Sequence, residues 1–110
     1  MTFEEYQKKA RETAVYPEAL GHNYVYPTLG LVGEAGEVAE KIKKILRDKG
    51  GILDEEAIAG LHKELGDVLW YLATLATELG LSLGDVAEGN LIKLQIRKVW
   101  GVLRGAGDNR

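Results

Sequence analysis

Cysteine is absent from the 110-residue chain, so neither disulfides nor thiolate metal sites are open to it. The two histidines, His22 and His62, have no ligand spacing to one another or to a cysteine, which disfavours zinc. No apolar run reaches the roughly 18 residues needed to span a bilayer. The amphipathic N-terminus, MTFEEYQKKARETA, lacks the apolar centre of a secretory signal. Positive charge is in short supply as well: a net charge of −3 argues against polymeric nucleic acid as a partner. What these absences leave is a soluble, cytoplasmic protein.

The residues that are present belong to a globular chain, 45% hydrophobic and 28% charged. Its length fits one domain, expected over 1–103, with RGAGDNR at 104–110 as a frayed tail. Thr2 and Glu5 form a capping box for a first helix, expected from Thr2 to Val15 and closed by Pro17. YPEALGHNYVYP, Tyr16 to Pro27, holds the chain's two prolines and three tyrosines and reads as a loop packed down by its aromatics. A second helix is expected from Thr28 to Lys49, stopped by Gly50 and Gly51. Asp54 caps a third that runs to Leu79. Ser82 and Asp85 open a fourth that reaches Val102. No strand pattern competes with these helices, and the expected fold is an all-α, four-helix bundle-like unit with short connections.

The acids are placed unusually on this pattern. In GLVGEAGEVAE the apolar residues Leu31, Val32, Ala35, Val38, Ala39, Ile42, Ile45 and Leu46 fill one arc. Glu34 falls about 20° outside that arc and Glu37 about 60° further round. Glu40, beside Lys41, Lys43 and Lys44, reads as part of a solvated face. HKELGDVLWYLATLA repeats the device, with Glu64 at the edge of its arc and Asp67 beyond it. Gly36 and Gly66 sit beside the acid pairs, although a helical glycine costs about 0.5–1 kcal/mol against alanine. Carboxylates at i and i+3 repel unless a cation lies between them. If the two helices pack antiparallel, four carboxylates converge, an all-oxygen set suited to Mg²⁺ or the similarly hard Mn²⁺. A single such pair is more often a solvated edge; two matching pairs on consecutive helices point to metal.

GLVGEAGEVAEKIKK, KELGDVLWYLATLA and GLSLGDVAEGNLIKL together resemble the MazG-like nucleotide pyrophosphohydrolases of the all-α NTP pyrophosphatase superfamily, over Thr28 to Lys98. The resemblance implies that Glu34, Glu37, Glu64 and Asp67 are Mg²⁺ ligands. Where many members carry a further glutamate before the first ligand, this chain has Gly33. It also implies that Asn90 and Lys93 approach substrate phosphates, and that the chains assemble as homodimers or homotetramers. The implied reaction is hydrolysis of a nucleoside triphosphate, deoxynucleotides included, to the monophosphate and pyrophosphate. Glu37, with Glu34 beside it, would then orient or deprotonate the attacking water.

Asn90, Lys93 and Arg97 share one face of the fourth helix, and Leu91 to Arg110 carries a net charge of +4. Arg97, and Lys63 beside Glu64, join the candidate phosphate contacts, with a solvated basic face as the plainer reading. Trp70 and Tyr71 read as core or subunit contacts before nucleobase platforms. Three rivals remain. Enzymes of neighbouring specificity, dUTP/dCTP-type or phosphoribosyl-ATP pyrophosphatases, share the metal motifs. A di-iron bundle needs Glu-x-x-His pairs, which are missing here. A non-catalytic dimerisation or regulatory module would need no metal at all.

Overall fold

The computed structural model describes residues 1–18 and 21–101. The tail expected at 104–110 lies outside the described residues, as do Arg104 and Arg110. Among the described residues the chain is all-α, with α1 Phe3–Arg11, α2 Val25–Lys49, α3 Glu55–Glu78 and α4 Leu83–Val99.

The caps fall where local chemistry puts them. Thr2 Oγ1 accepts from the Glu5 amide and Glu5 Oε1 from the Thr2 amide, both at 3.1 Å, closing the capping box of α1. The Asp54 carboxylate accepts from the Ala57 amide at 2.8 Å, and Ser82 Oγ from the Asp85 amide at 3.3 Å. Gly50 ends α2 in the left-handed region at φ 59°, where a residue with Cβ would be strained.

Three boundaries differ from expectation, one being α4, which ends at Val99 with Trp100 as its C-cap and does not run on toward Val102. α1 stops at Arg11 and gives way to turns, with Thr13 Oγ1 donating back to the Ala10 carbonyl at 3.1 Å. α2 begins at Val25, three residues before Thr28, and so contains Pro27. Proline is tolerated there because the first-turn amides have no intrahelical partner to lose.

α2 and α3 form an antiparallel hairpin across the short 50–54 turn. Its register is fixed at both ends. At the closed end Lys49 Nζ reaches the Asp54 carboxylate at 3.0 Å. At the open end the Tyr71 ring lies against Gly30, where an added Cβ would stand 2.2 Å from Cε1. Gly30 is thus a packing glycine, whereas Gly33, Gly36 and Gly66 have open space at the Cβ position.

α1 lies on α3 and α4, and α4 borders α1 and α3 but not α2. A small core of Ala10, Ala73 and Leu83, with Tyr6, Leu69 and Trp70 against it, sits at this junction. Gln7 ties the α3–α4 turn together. It donates to the Leu81 carbonyl at 2.8 Å and to Thr77 Oγ1 at 3.0 Å, and accepts from the Leu83 amide at 2.8 Å. The all-α, four-helix expectation holds among the described residues, with α2 packed chiefly on α3 and α4 on α1 and α3.

The single apolar arc expected on α2 also divides. Leu31, Glu34, Val38, Lys41 and Ile45 are its half-buried or buried positions, whereas Val32, Ala35, Ala39, Ile42 and Leu46 are exposed. On α3 the exposed large apolar positions are Ile58, Leu65 and Leu72, one every seven residues.

These environments predict opposite effects for two glycine-to-alanine changes, readable by chemical denaturation. Gly30→Ala should lose about 1–3 kcal/mol by overpacking against Tyr71. Gly36→Ala, with nothing to strike, should gain about 0.5–1 kcal/mol from helix propensity.

Candidate metal and active site

The hairpin register brings the acid motifs face to face. One carboxylate oxygen from each of Glu34, Glu64 and Asp67 lies within 4.8 Å of the others. Glu34 and Glu64 are half-buried and Asp67 exposed, so the cluster opens to solvent on one side. Glu34 is not outside the buried stripe, as the helical projection suggested, but within it, one turn from Leu31 and Val38. α2 turns a different part of its arc toward α3 than its apolar centre of gravity indicates, and the outer apolar positions Val32, Ile42 and Leu46 stay exposed.

Partial burial pushes the Glu34 carboxyl above its ordinary range. The Asp67 charge, a hydrogen bond with Glu64, and the charges of Glu64 and Glu37 push the same way. This is the signature of carboxylates assembled without enough positive charge. The donor set is hard oxygen, open on one face and electrostatically frustrated, and it fits a divalent ion of the Mg²⁺ kind.

Glu37 stands apart from the three. It is exposed on α2 and not a member of the 4.8 Å group, although its charge is felt by Glu34. Glu40 keeps the role expected of it, pairing with Lys43 at 3.0 Å, which holds its carboxyl below the usual range.

Lys41 is different from its neighbours and was not foreseen as a site residue. Its Nζ lies 3.7 Å from Glu64 Oε1. The signal was available, since Lys41 follows Glu34 by seven residues and so shares its face. Lys63 is exposed, and among the described residues no ion pair joins it to the acids. Asn90 and Lys93 are exposed on α4 and Arg97 is buried there. Because α4 does not border α2, the hairpin alone does not bring this helix to the acid cluster.

Aromatic side chains fill the open end of the hairpin beside the acids. Burial first, then the neighbouring Tyr26, Glu34 and Asp67, push the Tyr71 hydroxyl up. Tyr26 stacks on Tyr16 with centroids 5.4 Å apart and planes at 4°. Tyr16 donates to Glu78 at 3.0 Å, a carboxylate also held by Arg11. Trp70 Nε1 donates to Thr13 Oγ1 at 2.9 Å and its ring joins the small core. The structural reading of Trp70 and Tyr71 holds: both bind helix to helix.

An all-α chain whose two longest helices set an ExxE against an ExxD defines a class, and comparison with known proteins agrees. Residues 26–101 match the MazG nucleotide pyrophosphohydrolase domain, and the chain belongs to that family. It is similar to the Gene 37 protein of Mycobacterium phage L5, 52% identical over 109 residues that cover 96% of each chain. No solved structure matches it.

The raised Glu34 pKa has a definite sign. The folded state holds this proton to higher pH than the unfolded chain, so metal-free stability falls as pH rises from the usual glutamate range through the raised value. Glu34→Gln should therefore melt higher than the parent protein at pH 7 without metal, and the difference should vanish below about pH 4. Calorimetry with chelator present checks both.

Proposed function

We propose that this protein hydrolyses nucleoside triphosphates, deoxynucleotides included, to the monophosphate and pyrophosphate with Mg²⁺, Mn²⁺ being able to substitute. The observation that carries the reading is the convergence of Glu34, Glu64 and Asp67 oxygens within 4.8 Å. Family membership over residues 26–101 supports the reaction class. Glu37, one turn along from Glu34, is the fourth carboxylate of the set.

Bound there, the metal would neutralise phosphate charge and lower the pKa of attacking water. The chain's own residues supply the rest. Glu34, Glu37, Glu64 and Asp67 provide oxygen ligands, and Glu37, exposed and outside the tight group, also orients or deprotonates the water, with Glu34 as its neighbour in that role. Asn90, Lys93, Arg97 and Lys63 contact the phosphates. No nucleophilic side chain is needed, so no covalent intermediate forms.

The protein acts in the cytoplasm as a homodimer or homotetramer. Two exposed apolar stripes support assembly: Val32, Ile42 and Leu46 with Ile58, Leu65 and Leu72 on the hairpin, and Leu91, Ile92, Ile96, Val99 and Trp100 on and after α4. The radius of gyration, 16.8 Å, exceeds the about 13 Å of a compact 100-residue domain. No helix among the described residues is long and apolar enough to cross a membrane.

The decisive measurement is product analysis over the common and deoxynucleoside triphosphates with Mg²⁺. Pyrophosphate and monophosphate should appear in equal amounts, and the nucleotide panel separates a broad enzyme from dUTP/dCTP-type or phosphoribosyl-ATP specificity. Glu37→Gln combined with Asp67→Asn should lower turnover at least about 100-fold while helicity persists. Unchanged turnover in the double variant, or release of inorganic phosphate alone, refutes the assignment. Retained partner binding with no hydrolysis by the parent protein would instead indicate a helical regulatory module. Sedimentation at micromolar concentration should find no monomer.

A further inference from the structure

Side-chain chemistry changes in order along the α2–α3 hairpin. At the open end lie Tyr26 and Tyr71 beside Gly30. Glu34, Glu64 and Asp67 come next. Beyond them toward the closed end, Lys41, Lys44 and Lys49 line a groove of about 190 Å³ together with Asp48, Glu56 and Gly60.

The lysines are not equivalent. Lys49 is engaged by Asp54 at 3.0 Å, and Lys44 leans on Glu40 at 4.0 Å. Lys41 alone among them is paired with a member of the acid cluster, Glu64, at 3.7 Å. That separation is long for a hydrogen bond, so the contact is a loose charge pair.

Lys41 lies on the α2 stripe that faces α3, and its stem crosses α3 at Gly60. A Cβ there would touch Lys41 Cδ and Nζ, each at 3.7 Å. The side chain thus passes over α3 at Gly60, with its head 3.7 Å from Glu64 Oε1.

We propose that Lys41 is the pyrophosphate-side contact of this site. Its ammonium balances Glu64 while no cation is bound, and turns to the β- and γ-phosphates when a divalent ion takes that carboxylate. The inference rests on the nucleotide-hydrolysis reading and adds a direction to it. The triphosphate tail lies toward the closed end of the hairpin and the nucleoside toward the tyrosines. An ammonium on Glu64 competes with a divalent ion for the same oxygen but attracts a polyphosphate, so its removal must move the two affinities in opposite senses.

The test compares the parent protein with Lys41→Met, Lys41→Arg and Lys43→Met. Lys43 pairs with Glu40 outside the cluster, so its variant matches the change in net charge. Mn²⁺ uptake without nucleotide is followed by the loss of the free-ion electron paramagnetic resonance signal. Pyrophosphate binding in Mg²⁺ is followed by calorimetry. Lys41→Met should bind Mn²⁺ about threefold tighter. It should bind pyrophosphate about tenfold more weakly. Its KM for nucleotide should rise more than its kcat falls. Lys41→Arg should keep pyrophosphate affinity, and Lys43→Met should match the parent.

Weaker Mn²⁺ binding by Lys41→Met would show a strut for Glu64 and overturn the proposal, as would unaltered pyrophosphate affinity or equal effects from Lys43→Met. A parent protein that takes up no Mn²⁺ and releases no pyrophosphate from any nucleotide would remove the hydrolase reading itself. A competent parent without the opposed shifts sinks the Lys41 inference alone.

Discussion

Mutual repulsion among Glu34, Glu64 and Asp67 is the constraint around which the α2–α3 hairpin is organised. Three carboxylates with oxygens inside 4.8 Å are an unfavourable arrangement unless something positive sits among them. The hairpin holds them there by interactions on either side of the acids. Tyr71 seated on Gly30 fixes one end, and Lys49 on Asp54 with buried Ile45 and Ala57 fixes the other. The raised Glu34 pKa and the loose Lys41 pair are both responses to that confinement. A divalent ion among these oxygens would offset the repulsion.

The other helices act on this hairpin from its open end. α1 is joined to α3 through Arg11 and Glu78, and the segment after α1 through Trp70 to Thr13 and Tyr16 to Glu78. Gln7 satisfies backbone groups on both sides of the α3–α4 turn. Polar contacts with good geometry therefore do much of the positioning, and the fully buried apolar core is small. Such a chain leaves considerable apolar surface outside, arranged in stripes along α2, α3 and α4.

The chemistry of the groove is consistent with the family to which the chain belongs. Hard oxygen ligands select a hard cation, and a hard cation with free coordination positions suits a phosphate chain. Along the hairpin the acids lie between the Tyr26 and Tyr71 rings at the open end and the Lys41, Lys44 and Lys49 ammonium groups at the closed end. The phage L5 relative, similar over nearly its whole length, carries no activity in its name, so the reaction rests on site chemistry and family together.

Much of this was written into the sequence. Thr2, Asp54, Gly50 and Ser82 mark helix ends by local hydrogen bonding or local backbone conformation, and local interactions need no tertiary knowledge. The acid pairs were legible because ExxE and ExxD are spacings within single helices, and the short turn made the antiparallel pairing of those helices predictable. Pro27 misled, since one residue type serves both loops and first helical turns and only the path of the chain chooses between them. The tertiary structure alone decided which part of a broad apolar arc faces inward. That choice depends on which surfaces meet, and it drew Glu34 and Lys41 into the buried stripe while leaving Val32 and Leu46 outside it. It also set Glu37 apart from the three converging acids and kept α4 off α2, because distances between helices come from packing, which no spacing along one helix encodes.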